Sequence, residues 1–359
     1  MKLRYFAIIA AVLFCAACNQ AKPYQIDGTF TTDDGAEVYL INLDVPDGGD
    51  TLSVTTVQGG KFAFTGKVEK PFYAYVGNAK RRVRMILEPG NAAVDLNEWT
   101  IAGTPMMDAV GAYNDTFYGF DHIRADKREA LTARKAEMTP EEFNAEWDKL
   151  NAECKESKIA LCDSIIRANK DNLVAAIVMN DLAMVDGEAF LNLYDVIAEP
   201  IREHSLVSKP YGTVKAASET APGTMFKDYT IVGGNPDGTD VKLSDYVGMG
   251  KYILLDHWAS WCGPCKKEMP FIKKAYEAFR GDKFDVVSIA VSDKREDTEA
   301  ALAKLDMPWN QILDAQKIPA ELYGVNAIPH LILFAPDGTI LRRDLRGEQI
   351  FSALEEILK

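Results

Sequence analysis

Residues 252–258 read YILLDHW, and four positions after the last of them Cys262-Gly263-Pro264-Cys265 opens a stretch of helical periodicity. An apolar run of this length reads as a buried strand, and a helix expected over about 263–279 follows it almost directly. Downstream, Phe284–Val291 reads as a strand and 295–305 as a helix. His330–Phe334 and Thr339–Arg342 are expected as strands around Pro336-Asp337-Gly338, and Phe351–Leu358 as a closing helix. Upstream, Tyr229–Val232 and Asp240–Leu243 flank another Pro-Asp-Gly and read as a hairpin. Strand, helix, strand, hairpin and helix in this order predict an α/β layered domain over 226–359.

The chain has 359 residues, enough for two or three domains, and 47% of them are hydrophobic. Residues 25–100 carry short β-branched or alternating segments: Tyr24–Phe30, Glu37–Leu43, Thr51–Val57, 61–66, Phe72–Val76, Val83–Leu87 and Ala93–Leu96. Their spacing predicts an antiparallel β-sandwich-like domain over 18–105, with no catalytic constellation. From 106 to 207 the periodicity becomes helical. Thr139-Pro140-Glu141-Glu142 is a capping box with proline in the first turn, and its helix should run toward Ala168. Further helices are expected over 172–184 and, capped by Asp186, through Ile197. The segment 208–225, rich in Ser, Thr, Gly, Pro and Ala, reads as a linker. The net charge of −13, spread along the chain, disfavours nucleic acid as a partner.

Lys2 and Arg4 precede an apolar run from Tyr5 to Phe14, the layout of an export signal over 1–17. That run is shorter than the roughly 20 residues needed to cross a bilayer. Cys15-Ala16-Ala17-Cys18 resembles a bacterial lipobox, with Cys15 where Leu is usual. The resemblance implies cleavage before Cys18 and attachment of lipid to its sulfur, which would place the protein in the cell envelope, anchored to a membrane and facing the periplasm. The plain alternative is a cleaved signal without lipid.

The remaining cysteines divide by position. Cys154 and Cys162 fall in one expected helix, about 12 Å apart at 1.5 Å rise, beyond the reach of about 7 Å that a disulfide tolerates. They read as packed thiols. Cys262 and Cys265 admit three uses. A zinc site needs about four ligands, and neither a second Cys pair nor histidines at metal spacing exist among His122, His204, His257 and His330; no metal and no other cofactor is expected. As a structural clip, so short a loop constrains the unfolded chain little. A redox role fits the placement: the first cysteine opens a helix, where unpaired N–H groups and the helix dipole favour an anion by up to about 2 kcal/mol. That is about one pKa unit, enough to make thiolate plentiful near neutrality. Pro264 sits in the first turn, where no N–H is required.

Trp261-Cys262-Gly263-Pro264-Cys265 is the active-site pentapeptide of thioredoxins, and the resemblance extends beyond it. Pro270 stands where the family kinks the redox helix, Ile328-Pro329 where it has a cis-proline beside the dithiol, and Asp256 where it has a buried aspartate. Cys265-Lys266-Lys267-Glu268, the hairpin before Tyr252 and the lipoprotein-like signal resemble the membrane-anchored TlpA/ResA branch. The likeness covers about 223–359, and the whole layout is more loosely similar to periplasmic lipoproteins with an uncharacterised β-rich domain in front. His330 departs from it, standing where many relatives carry Thr.

The resemblance implies a thiol–disulfide oxidoreductase in which Cys262 attacks a substrate disulfide and Cys265 resolves the mixed disulfide. Asp256 or Glu268 would take the proton from Cys265. Trp261, Ile328 and Pro329 would form the substrate-binding surface, with the Ile328 backbone pairing an extended segment. Asp256 in an apolar run is costly unless it has such a use, whereas Glu268, Lys266 and Lys267 have the ordinary alternative of a solvated helix face. Implied partners are disulfide-containing proteins or thiols and a membrane electron donor, with cytochrome c maturation or general thiol reduction as the role. Two alternatives stand beside this reading: a thiol peroxidase of the peroxiredoxin-like class, against which Ser260 is one residue out of place and the motif's proline is missing, and an anchored ligand-binding lipoprotein with a vestigial dithiol.

Overall fold

The computed structural model describes residues 20–45 and 49–358. The expected signal and Cys18 lie outside them. Two compact units divide the chain: residues up to Cys154 with Asn172–Val174, and Lys155–Asp171 with Ala175 onward.

Among the described residues, eight strands build the first unit: β1 Lys22–Thr29, β2 Glu37–Asn42, β3 Asp50–Thr56, β4 Lys61–Val68, β5 Phe72–Gly77, β6 Arg82–Leu87, β7 Gly90–Asp95 and β8 Thr100–Ala102. They form two four-stranded sheets, ordered β4-β1-β7-β8 and β3-β2-β5-β6. Alternation along β4 buries Phe62 and Phe64 and exposes their neighbours. Gly28 lies opposite Phe62 in the β1–β4 register, and a Cβ there would sit 2.0 Å from the ring, so glycine is what lets the phenyl group lie flat across the strand. Every pairing is antiparallel except β1 with β7, which is parallel. The three-residue β8 was not expected from the sequence; it is too short to show alternation. Helix α1, Pro105–Ala133, buries Met107, Val110, Tyr113 and Phe117.

Helix α2, Pro140–Ala168, starts at the expected capping box: the Glu142 carboxylate accepts the Thr139 N–H at 2.9 Å and Thr139 Oγ1 accepts the Glu142 N–H at 3.2 Å. Cys154 and Cys162 both lie buried within it as thiols. Helices α3 Leu173–Val185, α4 Gly187–Tyr194, α5 Glu199–Glu203 and α6 Ser205–Glu219 follow. Asp186 caps α4 by accepting the Ala189 N–H at 2.7 Å.

The stretch expected as a linker is therefore mostly helix. Pro210 costs α6 a backbone hydrogen bond, yet the helix persists because it is packed. Its backbone presses on Gly324, where a Cβ would meet the Thr213 carbonyl oxygen at 2.3 Å. Gly and Pro punctuate isolated segments, but tertiary contact overrode them here.

The rest of the second unit holds a short hairpin of β9 Thr230–Ile231 and β10 Val241–Lys242. Next come β11 Tyr252–Trp258, α7 Gly263–Phe279, β12 Phe284–Ala290, α8 Arg295–Leu302, β13 Asn310–Ile312, α9 Ile318–Tyr323, β14 His330–Phe334, β15 Ile340–Arg343 and α10 Glu348–Leu358. The five-stranded sheet runs β13-β12-β11-β14-β15, with β11 central, parallel to β12 and antiparallel to β14. One face packs Ile272 of α7 and Ile350 and Leu354 of α10 against Leu254 and Val286. The other packs the hairpin and Tyr323 of α9 against Ile253, Leu255 and Val287. This is the α/β layered domain read from the sequence.

Candidate active site

The central strand delivers its last residue, Trp258, into a cluster with Ala259, Cys262, Cys265 and Met269. The turn between strand and helix is held from below. Asp293, buried beyond β12, accepts the Ser260 N–H at 2.6 Å, the Ser260 hydroxyl at 2.9 Å and the Thr298 hydroxyl at 2.9 Å. Trp261, 62% exposed, is fixed through its ring N–H, which donates to the Ser292 carbonyl at 3.1 Å. Cys262 is then the N-cap of α7, and its Sγ accepts the Cys265 N–H at 3.1 Å. The two sulfurs are joined, so the structure holds the oxidised pair, with Cα atoms 5.3 Å apart. Cys262 is as deeply buried as Cys265. Helix α7 passes through Pro270 without interruption.

Opposite the pair, the Ile328–Pro329 peptide is cis. The Cys262 Sγ lies 3.9 Å from the Ile328 carbonyl oxygen. Beside it is a groove of about 230 Å³ whose walls include Trp261, Val325 and Ile328. Arg346, between β15 and α10, donates to the Pro329 carbonyl oxygen and to its own neighbour, Leu345, at 2.9 Å. The next backbone N–H, that of Gly347, donates to Glu268, which is half-buried. Glu268 is thus tied to the loop rather than free in solvent.

Asp256 and His257 are adjacent on β11, and a strand turns neighbours to opposite faces. Asp256 accepts from the Ser288 hydroxyl at 2.9 Å, and Ser288 Oγ in turn accepts the Trp309 ring N–H at 2.8 Å. Burial pushes this carboxyl up to about 7; the Ser288 bond and Arg346 pull it down, while the Glu268 charge raises it further.

On the other face, His257 Nδ1 lies 2.8 Å from the His330 carbonyl oxygen, so Nδ1 carries the proton and donates. Burial, then the neighbouring His330, pushes His257 down to about 3. His330 Nε2 faces an Arg343 nitrogen at 3.2 Å, and arginine only donates, so Nε2 accepts and Nδ1–H donates to Asp344 at 2.8 Å. Hydrogen bonding to His330 holds the Asp344 carboxyl below the usual range. Arg343 also donates to the Thr220, Ala217 and Tyr323 carbonyls at 3.1, 3.1 and 2.6 Å.

Cys262, Cys265, Trp261, Ile328 and Pro329 therefore lie around one spot, with Glu268 tied to the adjoining loop through Gly347, while Asp256 is bonded to Ser288 and feels the Glu268 and Arg346 charges. Asp293, Ser288, Arg343 and Arg346 were missed by the sequence reading. Each is polar and distant along the chain, and no local pattern marks its partner.

The AhpC/TSA family model matches residues 220–343. Residues 220–343 form a thioredoxin-like domain of the AhpC/TSA family. A second model, described as a domain of unknown function (DUF4369), matches residues 24–110. The thioredoxin-like domain is similar to thiol-disulfide oxidoreductase ResA of Bacillus subtilis (strain 168), 26% identical over 133 residues, which are 37% of this chain and 72% of that protein. ResA of Bacillus thuringiensis subsp. konkukian (strain 97-27) is 27% identical over 123 residues, 34% of this chain and 69% of its own. Among solved structures, the thioredoxin domain of a thiol-disulfide oxidoreductase from Bacteroides vulgatus is 32% identical, covering 39% of this chain and 99% of that one with a TM-score of 0.35. The thioredoxin-like domain makes this chain a thiol–disulfide oxidoreductase of the ResA/TlpA type, following a DUF4369 domain.

Proposed function

We propose that the protein is an exported, lipid-anchored reductase of protein disulfides that works through Cys262 and Cys265. The observation that supports it best is the joined pair at the N-cap of α7, facing Ile328–Pro329. In the reduced enzyme the Cys262 thiolate would take up the Cys265 N–H and the helix-end dipole as its partners. It attacks one sulfur of a substrate disulfide, forming a mixed disulfide and expelling the other sulfur as a thiolate, which takes a proton from water. Cys265 then loses its proton to Asp256, directly or through water, and its thiolate attacks the Cys262 sulfur. The second substrate sulfur leaves as a thiolate and takes the proton that Asp256 had accepted, so the substrate has gained two electrons and two protons, one of them from water, while the cysteine pair has been oxidised. A carboxyl poised at about 7 can accept and return that proton near neutrality. Glu268 supports Asp256 by its charge.

The signal-like N terminus and Cys18 support export and anchoring in the cell envelope, facing the periplasm. There an oxidising compartment calls for a membrane donor of electrons to restore the dithiol. The Gly-Pro between the cysteines resembles that of reducing thioredoxins, which supports reduction over oxidation. Cytochrome c maturation or general thiol reduction is the role proposed by analogy with the TlpA/ResA branch. The peroxidase reading has less support, because the Ser260 hydroxyl is committed to Asp293.

Insulin reduction driven by a chemical dithiol tests the proposal. Cys262→Ser should abolish it, and Cys265→Ser should accumulate mixed disulfides with substrate. Full activity in Cys262→Ser would overturn the assignment.

A further inference from the structure

The first unit holds a cleft of about 820 Å³, lined by residues of the DUF4369 region and of α1. Three guanidinium groups line it, each beside an aromatic ring: Arg82 at 5.2 Å from the Tyr75 centroid, Arg84 at 5.8 Å from Tyr118, and Arg81 at 6.0 Å from Trp99. Stacking covers the face of a guanidinium and leaves its in-plane N–H donors for an acceptor. Arg81 spends one nitrogen on the Leu96 and Asn97 carbonyls, at 3.2 and 2.8 Å, and Arg84 donates to Asn114 at 2.7 Å. Among the described residues, no carboxylate lies within ion-pair distance of Arg81 or Arg82. This is conspicuous in a chain with a net charge of −13.

Trp99 adds a second, independent sign. It is 59% exposed and its φ is +61°, a left-handed conformation that a bulky residue adopts at a cost. The loop that carries it is braced. The Asp95 carboxylate accepts the Asn97 and Glu98 N–H groups at 2.7 and 3.1 Å, and Asn97 accepts the Thr31 N–H at 3.2 Å. A well-held loop therefore presents a large apolar ring to the cleft instead of burying it.

We propose that this cleft binds a small organic anion. Its carboxylate or phosphate engages the in-plane donors of Arg81 and Arg82, and its flat apolar body lies against Trp99 and Tyr118. Glu98 and Asp115 also line the cleft. Three arginines against two carboxylates favour a ligand of low charge over a polyanion. The cleft residues belong to the first unit and the cysteine pair to the second, and the proposal does not depend on the direction of the redox chemistry.

Isothermal titration of the full chain with naphthyl phosphate, naphthoate, naphthalenemethanol and inorganic phosphate tests it. At least one naphthyl anion should bind saturably with Kd below about 1 mM, and the tighter of the two identifies the preferred acidic group. The neutral alcohol and bare phosphate should bind at least about tenfold more weakly. Arg82→Gln, at an exposed position, should weaken the naphthyl anion about tenfold or more. Trp99→Gly should do likewise without lowering the thermal midpoint, because glycine accepts the left-handed backbone. Absence of saturable binding by both anions, equal binding of the neutral alcohol, or wild-type binding by both variants would overturn the proposal.

Discussion

The two faces of β11 treat neighbouring titratable groups in opposite ways. Asp256 and His257 are adjacent and both fully enclosed, and burial drives each toward its neutral form, the acid up to about 7 and the base down to about 3. Their surroundings then diverge. Asp256 has a single hydroxyl partner and feels Glu268 and Arg346, groups on the elements that frame the cysteine pair. His257 donates to the backbone of His330, whose ring belongs to a chain of bonds through Arg343 to the end of α6. One face keeps a proton available near neutrality, whereas the other uses hydrogen-bonded rings to hold strands and helices together. A strand with alternating sides thus separates chemistry from scaffolding within one residue.

Asp256→Asn tests the chemical face and should give the largest effect. Release of substrate from the mixed disulfide, followed by stopped flow, should slow about a hundredfold, and its inflection near pH 7 should vanish. Stability should move the other way. Because folding raises the carboxyl above its ordinary value, Asp256 contributes its full stability below the unfolded carboxylate range and loses it as pH rises toward about 7. At pH 8 the asparagine variant should therefore be more stable in urea, by up to about 4 kcal/mol. An unchanged release rate would break the comparison.

The same variant exposes His257. Folding lowers its pKa, so its contribution is complete above the unfolded histidine range and falls as pH drops toward about 3. In the wild type the two groups oppose each other between roughly pH 4 and 6.5. With Asp256 gone, stability between those limits should fall with acidification by up to about 3 kcal/mol.

Arg343→Gln tests the scaffold face. It removes donors from three carbonyls and the His330 ring, and should cost about 3 kcal/mol of unfolding free energy. Insulin-reduction rate per folded molecule should change far less than in Asp256→Asn. The smallest effect is expected for Ser260→Ala, which deletes one hydroxyl bond to Asp293 and should cost about 1 kcal/mol in thermal or urea unfolding.

Local patterns marked the strand–turn–helix unit, the capping box at Thr139 and the cysteine pair, because each depends on residues within a few positions of one another. The same logic misread 208–225, where Pro210 and nearby small residues suggested a linker although α6 packs its backbone onto Gly324. It also missed the parallel β1–β7 pairing, which no alternation within either strand specifies.

The sequence by itself determined where the reactive pair stands and that a buried run leads into it, since apolar periodicity and helix-end chemistry are local. Only the tertiary structure decided which distant groups meet that pair: Arg346 on the Pro329 carbonyl, Gly347 on Glu268, Ser288 on Asp256, and Asp293 beneath Ser260. Burial sets the protonation of Asp256 and His257, and burial is a property of the packed layers, which no short stretch of chain contains.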